Sequence, residues 1–231
     1  MSLLQMENVN SYYGAAHALH DFNLSIKEGE IISLLGRNGV GKSTTLKSIM
    51  GMLTVKGDVI FDGEKLTNLP TSKIARKGIG LVPEERRIFS NLTVKENLLV
   101  GVSRKGVWNL ERVYELFPVL KEKQNRMGTL LSGGEQQMLA IARSIMSNPK
   151  LILLDEPCEG LAPVIVNELK KGIAKLKEEG MTIIIAEQSL RISKVLATRH
   201  YLISKGEVCF EGSSDQLFDS PDILIKYLGV Q

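Results

Sequence analysis

Apolar residues fall along this chain in two different rhythms. From the N-terminus, short β-type runs at 4–9, 18–26 and 31–35 alternate with turns, and 57–61 with a turn at Asp62-Gly63 continues that part. Pro70 opens a short helix around Ile74 that Gly78 closes, and 79–82 reads as a further buried strand. At Thr93 the rhythm becomes helical and stays so to about Asn148. Thr93-Val94-Lys95-Glu96 has capping-box spacing ahead of Leu98, Leu99 and Val102, and 110–117 predicts another helix that stops before Pro118. Then Leu151-Ile152-Leu153-Leu154, four apolar residues in a row, suits a parallel strand covered on both faces. A helix over 163–179, a buried strand over 182–186 and a helix over 190–196 follow. The runs at 201–203 and 208–210 flank Lys205-Gly206 as a hairpin, and two short helical segments end near Leu228-Gly229.

This order predicts an α/β fold with an antiparallel β layer at the N-terminus and a helical insertion. Residues 1–92 and 149–231 would form the core, and 93–148 a helical subdomain, in one domain of 231 residues. A 43% hydrophobic share can fill such a core, and 24% charged residues is ordinary for a soluble globule. The net charge of +3 does not point to nucleic acid. No run approaches the roughly 18 apolar residues of a bilayer span, and no apolar signal region is expected at the N-terminus. Cys158 and Cys209 form no metal or CxxC spacing and fit a reducing compartment; His17, His20 and His200 lack ligand-like spacing.

The chemistry sits at the joins between these elements. Gly36-Arg37-Asn38-Gly39-Val40-Gly41-Lys42-Ser43 fits G-x-x-x-x-G-K-[ST] and stands between a strand-type run and a helical stripe of Leu46, Ile49 and Met50. There the glycines let backbone N–H groups turn onto phosphate oxygens, and the helix N-terminus adds positive dipole. Lys42 would reach the β- and γ-phosphates of a nucleotide and Ser43 would ligate Mg2+. Asp155, at the end of the apolar strand, is the expected metal partner of that serine, and Glu156 beside it is placed to orient an attacking water. Far downstream of the phosphate loop, Leu131-Ser132-Gly133-Gly134-Glu135-Gln136-Gln137 has the form of a second phosphate reader. Ser132 and Glu135 also have capping-box spacing before a stripe of Met138, Ala142 and Ile145, and a capped helix start with two glycines can serve as an anion site.

The segments 36–44, 131–137 and 151–156, in this order, closely resemble the ATP-binding cassette (ABC) family over nearly the whole chain. The resemblance implies the ABC ATPase fold on a P-loop NTPase core, with ATP and Mg2+ as cofactors and Thr44 joining the nucleotide contacts. It implies that Ser132, Gly133, Gly134 and Glu135 grip the γ-phosphate held by a partner subunit. Tyr13, just before Gly14, matches the aromatic that stacks on adenine, with Tyr12 as the alternative. Two sensor positions depart from the family pattern. Glu84 stands where a glutamine is usual, and Gln188, after Glu187, where a histidine is usual. Ala162 replaces a common aspartate.

Val82-Pro83-Glu84, Arg87-Ile88-Phe89, Glu159-Gly160-Leu161-Ala162-Pro163 and Glu187-Gln188 resemble one branch, the shorter type of ATP-binding subunit in bacterial branched-chain amino acid importers. That branch implies a second, related cassette as partner, with a homodimer as the alternative. It implies transmembrane permeases above the pair, a solute-binding protein outside, no nucleic acid, and a peripheral position on the cytoplasmic face of the membrane. Urea, short amides or another small solute remain alternative cargoes. Ile88, Phe89 and Leu92 are candidates for contact with a permease helix, or for packing within the insertion. A soluble ABC ATPase acting on nucleic acid is disfavoured by the single phosphate loop and the lack of heptads.

Overall fold

The computed structural model describes residues 2–102 and 106–229. In chain order its strands are β1 (Ser2–Tyr13), β2 (Ala16–Lys27), β3 (Ile31–Leu35), β4 (Thr54–Phe61), β5 (Glu64–Lys65), β6 (Ile79–Val82), β7 (Leu151–Asp155), β8 (Thr182–Glu187), β9 (Arg199–Ser204) and β10 (Glu207–Ser213). They form a four-stranded antiparallel sheet, β2-β1-β4-β5, and a six-stranded sheet, β10-β9-β3-β8-β7-β6. The second is parallel except where β10 returns antiparallel to β9. The turn at Asp62-Gly63 has both residues at positive φ, 51° and 75°, as a tight hairpin requires.

The central strands are apolar throughout because each feeds two cores. Ile152, Leu154, Ile183 and Ile185 face one side, and Leu151, Leu153, Ile184 and Ala186 face the other. Side chains alternate along a strand, so a strand covered on both faces needs no polar positions. On the second side lies α1 (Lys42–Ile49), whose Leu46 and Ile49 fill the space between the two sheets with Phe22, Phe61 and Val59. This packing fixes the helix whose first turn carries Lys42 and Ser43.

The other side is covered by helices. On the α1 side, the short α2 (Thr71–Lys77) adds Ile74 to the core and ends at Gly78, which takes the left-handed conformation expected of a C-terminal glycine. From Thr93 onward come α3 (Val94–Val100), α4 (Leu110–Leu116), α5 (Pro118–Glu122) and α6 (Gly133–Ile145), then α7 (Pro163–Glu178) and α8 (Leu190–Leu196) after β7 and β8, and α9 (Ser214–Phe218) and α10 (Pro221–Leu228) at the end. Thr93 caps α3 with Glu96 returning the bond, so the predicted capping box forms. Two expectations need correction. Pro118 does not merely end a helix; it opens α5, because its fixed φ and absent N–H suit a first helical position. And β6 is an edge strand, with Gly80 and Leu81 half-buried.

Among the described residues of 94–145 the elements are helical, and these residues form no core separate from that of the sheet. Val94, Leu98, Val113 and Phe117 join one continuous cluster with Ile152 and Ile183 of the sheet. Close approaches stitch it together. A Cβ on Gly134 would lie 2.3 Å from Ile165 of α7, and one on Gly172 of α7 would lie 2.5 Å from the Phe117 ring. Only glycine lets α6 and α7 meet so closely at their N-terminal ends.

Candidate active site

The phosphate loop, 36–41, leaves β3 and enters α1. Lys42 is buried and curls back over it, donating to the carbonyls of Gly36 (2.9 Å) and Arg37 (3.1 Å). Its Nζ also lies 2.9 Å from Glu156 Oε1, with the two side chains 4% and 7% exposed. Glu156 follows β7 at φ 44°, a left-handed conformation that costs a non-glycine residue roughly 1 kcal/mol. Its N–H stays tied to the carbonyl of Ala186 (2.9 Å) while its Oε2 accepts the N–H of Gln188 (3.2 Å). The carboxylate is thus held from two sides, by the phosphate-loop lysine and by the backbone N–H of Gln188.

Ser43 Oγ donates to Asp155 Oδ1 at 2.8 Å, which brings the two predicted metal ligands together. Burial raises the Asp155 pKa against the lowering effect of the Ser43 bond, and the charges of Glu156 and Glu84 raise it further. Such a carboxylate calls for a cation, and hard oxygen donors suit Mg2+. Among the described residues no three His, Cys, Asp or Glu side chains form a ready-made metal cage. That fits an ion bound by one or two protein oxygens together with nucleotide phosphates. Glu84 is exposed and lines two adjoining cavities. One, of about 320 Å³, is bounded by Asn38, Gly39, Lys42, Thr44 and Glu156; the other, of about 510 Å³, by Met50, Met52, Leu81, Pro83 and Arg87. Ser43 is the other residue common to both.

The two tyrosines have different surroundings. Tyr12 stacks on His17 with ring centroids 4.4 Å apart. Tyr13 is 45% exposed, with its hydroxyl 3.5 Å from Thr44 Oγ1, so it is the tyrosine that stands free beside the phosphate-loop helix.

No residue of 131–137 lines the phosphate cavity. That run starts α6 instead. Ser132 accepts the N–H of Glu135 while Glu135 accepts the N–H of Ser132, and Lys123 pairs with Glu135 from α5's C-terminal side. The capping function is therefore present, and Gly133 at the helix start lies against Arg86. A Cβ on Gly133 would lie 2.9 Å from a guanidinium nitrogen of Arg86.

Two residues to which the sequence assigns no role hold the loop that carries Glu84 and Arg86. Asn97 of α3 is fully buried; it accepts the N–H of Phe89 (2.8 Å), and its amide reaches the carbonyls of Phe89, Leu92 and Thr93 at 3.0 to 3.1 Å. Arg143 of α6 donates to the carbonyl of Arg87 (2.7 Å) and lies over the Phe89 ring, and its burial lowers its pKa. Of the candidate permease contacts, Ile88 packs against the helical core, whereas Phe89 is 45% exposed.

Comparison with known proteins gives this geometry a setting. The family model described as ABC transporter matches residues 19–159. The chain is 43% identical over 232 residues to the high-affinity branched-chain amino acid transport ATP-binding protein BraG of Pseudomonas aeruginosa, covering 98% of this chain and 100% of that protein. It is 34% identical to the lipopolysaccharide export system ATP-binding protein LptB of Haemophilus influenzae, covering 100% of this chain and 99% of that one. A solved dimeric structure of an ATP-binding cassette in a post-hydrolysis state, bound to ADP and phosphate, superposes with a TM-score of 0.79 at 28% identity, over 91% of this chain and 98% of that chain.

Proposed function

The chain belongs to the ABC transporter family and is an ATPase, and from that premise we propose that it energises the import of branched-chain amino acids. The observation that carries the cargo reading is the 43% identity with BraG along the full length of both chains, against 34% with LptB. The likeness to LptB keeps export in view as the second reading, since that protein's name places it in an export system.

In the proposed mechanism residues 1–92 and 149–231 hold the nucleotide and 93–148 present the run at Ser132 to a partner. Tyr13 stacks on the adenine and the backbone of Gly36, Arg37, Asn38, Gly39, Val40, Gly41 and Thr44 cradles the phosphates. Lys42 exchanges Glu156 for the γ-phosphate. Ser43 and Asp155, with Glu84, would hold Mg2+, which would supply positive charge against the phosphates. Freed from the lysine, Glu156 orients water onto the γ-phosphorus and accepts its proton. Gln188 donates an amide N–H where an imidazole is usual. Ser132, Gly133, Gly134 and Glu135 complete the site of a second cassette, and that cassette completes this one. A heterodimer beneath two permeases, at the cytoplasmic face and fed by a solute-binding protein, is the assembly this reading requires.

The test is uptake. Proteoliposomes holding this chain, a second cassette, two permeases and a binding protein from the same gene neighbourhood should accumulate radiolabelled leucine when ATP is supplied on the cassette side. Accumulation of urea or an amide instead would replace the cargo, and extraction of lipopolysaccharide from the bilayer would replace import by export.

A further inference from the structure

Glu187 has no part in the mechanism above, yet it is one of the most enclosed carboxylates in the molecule, 2% exposed. It ends β8, in register with Leu35 of β3, one residue before Gln188. Its Oε1 accepts the N–H of Cys158 at 3.1 Å. The neighbouring Gln188 N–H holds the Glu156 carboxylate at 3.2 Å. Two successive residues at one strand end therefore grip two points of one turn: the Glu156 side chain, and the backbone two residues beyond it. Within that turn, Glu159 N–H reaches the Glu156 carbonyl at 3.2 Å and Leu161 N–H the Cys158 carbonyl at 3.3 Å, so the Cys158 N–H is left for Glu187.

We propose that Glu187 is a positioning residue for hydrolysis. By holding the Cys158 amide it fixes the turn that follows Glu156, so the water-orienting carboxylate keeps its aim after Lys42 has moved to the phosphate. This rests on the reading of Glu156 as the residue that orients water.

The electrostatics of the turn support it. Burial first, and the Glu156 charge second, push Glu187 up to about 7, against the lowering effect of its bonds to Cys158 and to the Ser189 backbone. The groups facing it are the Glu156 carboxylate from the end of β7 and the Cys158 thiol, which burial pushes up to about 12 and keeps neutral. Lys170 of α7 acts on that thiol, Lys42 is engaged by Glu156, and Lys194 of α8 lies over the Phe218 ring. While Lys42 neutralises Glu156, a charged Glu187 is tolerable. Once the lysine leaves, two carboxylates face each other in a dry site, and the one already raised takes a proton from solvent. Glu156 stays ionised, and the oxygen that accepts the Cys158 N–H serves in either state.

The test measures ATP hydrolysis by the full chain as wild type, Glu187→Gln, Glu187→Ala and Glu156→Gln, with ATP affinity measured on the same preparations. Glu187→Ala should lower kcat about 10-fold or more while the Kd for ATP stays within about two-fold. Glu187→Gln keeps the acceptor oxygen, so it should recover most of kcat. Unchanged kcat in Glu187→Ala, equal losses in both Glu187 variants, or a fall in ATP affinity parallel to kcat would each overturn the proposal. Wild-type hydrolysis by Glu156→Gln would instead overturn the reading of Glu156 on which it rests.

Discussion

Lys42 Nζ and Glu156 Oε1 lie 2.9 Å apart, and each residue is the other's charged partner in a site almost closed to solvent. A buried pair of this kind adds little net stability, but removing one member strands the other. Lys42→Ala should therefore do two things. It should abolish measurable ATP hydrolysis, and it should lower unfolding stability by about 3 kcal/mol, reported by urea denaturation at pH 7.5. A variant as stable as wild type would show that the pair does not persist in solution.

The same pair makes Glu156→Gln informative in the opposite direction. The amide keeps the side chain's shape and an acceptor for the Gln188 N–H, but cannot take the proton of water and no longer holds Lys42 by charge. Lys42 is released to the phosphates, so ATP should bind at least as tightly while hydrolysis falls by about 10³-fold. At millimolar ATP the variant should elute as a dimer on size exclusion; a persistent monomer would count against a nucleotide shared between two cassettes.

Phe89 stands out from the loop beneath Arg143 while its neighbour Ile88 packs inward. Phe89→Asp should leave ATP affinity unchanged and uncouple hydrolysis from transport in the reconstituted system. Normal uptake would remove Phe89 from the permease contact.

Asn97 supports that loop with one amide. In Asn97→Ala the N–H of Phe89 loses its buried acceptor, while the carbonyls of Leu92 and Thr93 keep the N–H groups of Gly128 (3.0 Å) and Asn97 (2.9 Å). A loss of about 1 to 3 kcal/mol in unfolding free energy is expected, with faster proteolysis within 84–93. A change below about 1 kcal/mol would mean that water replaces the amide.

His200 gives the fold a pH dependence of its own. Ser214 Oγ donates to the Ala197 carbonyl and so accepts from His200 Nε2 (2.9 Å), which leaves Nδ1 to accept from Ser33 (2.6 Å). The buried ring is neutral, its pKa lowered by desolvation from 6.5 to about 4. An unfolded chain binds the extra proton more readily, so this contribution is complete above about pH 6.5 and is lost as pH falls toward 4. The melting temperature of wild type should fall across that window more steeply than that of His200→Gln. Parallel curves would reassign the acid sensitivity to other groups.

Much of this architecture was legible in residue order. The runs at 31–35, 151–154 and 182–186 are apolar at every or nearly every position because two cores claim alternate side chains, and that pattern survives without any knowledge of partners. The pairing of Ser43 with Asp155 followed from motif chemistry. What could not be read was anything set by contacts across long sequence distances. The partners of Asn97 show only once the loop at 86–93 folds over it. Glu187 looks like the end of a strand until Cys158 arrives beside it, and the left-handed turn at Glu156 has no compositional mark, since it carries a carboxylate where glycine would be the usual signal.

The missing side chain at Gly134 has a consequence for timing. Ile165 of α7 lies against that glycine, so the helix that follows the Glu156 turn and the helix that Ser132 caps touch directly, and a shift of one would press on the other. In the proposed pair the first serves this chain's own nucleotide and the second serves the partner's. A cassette could not loosen its turn after cleavage without shifting the fingers it lends across the seam. Each subunit would then keep the other's clock.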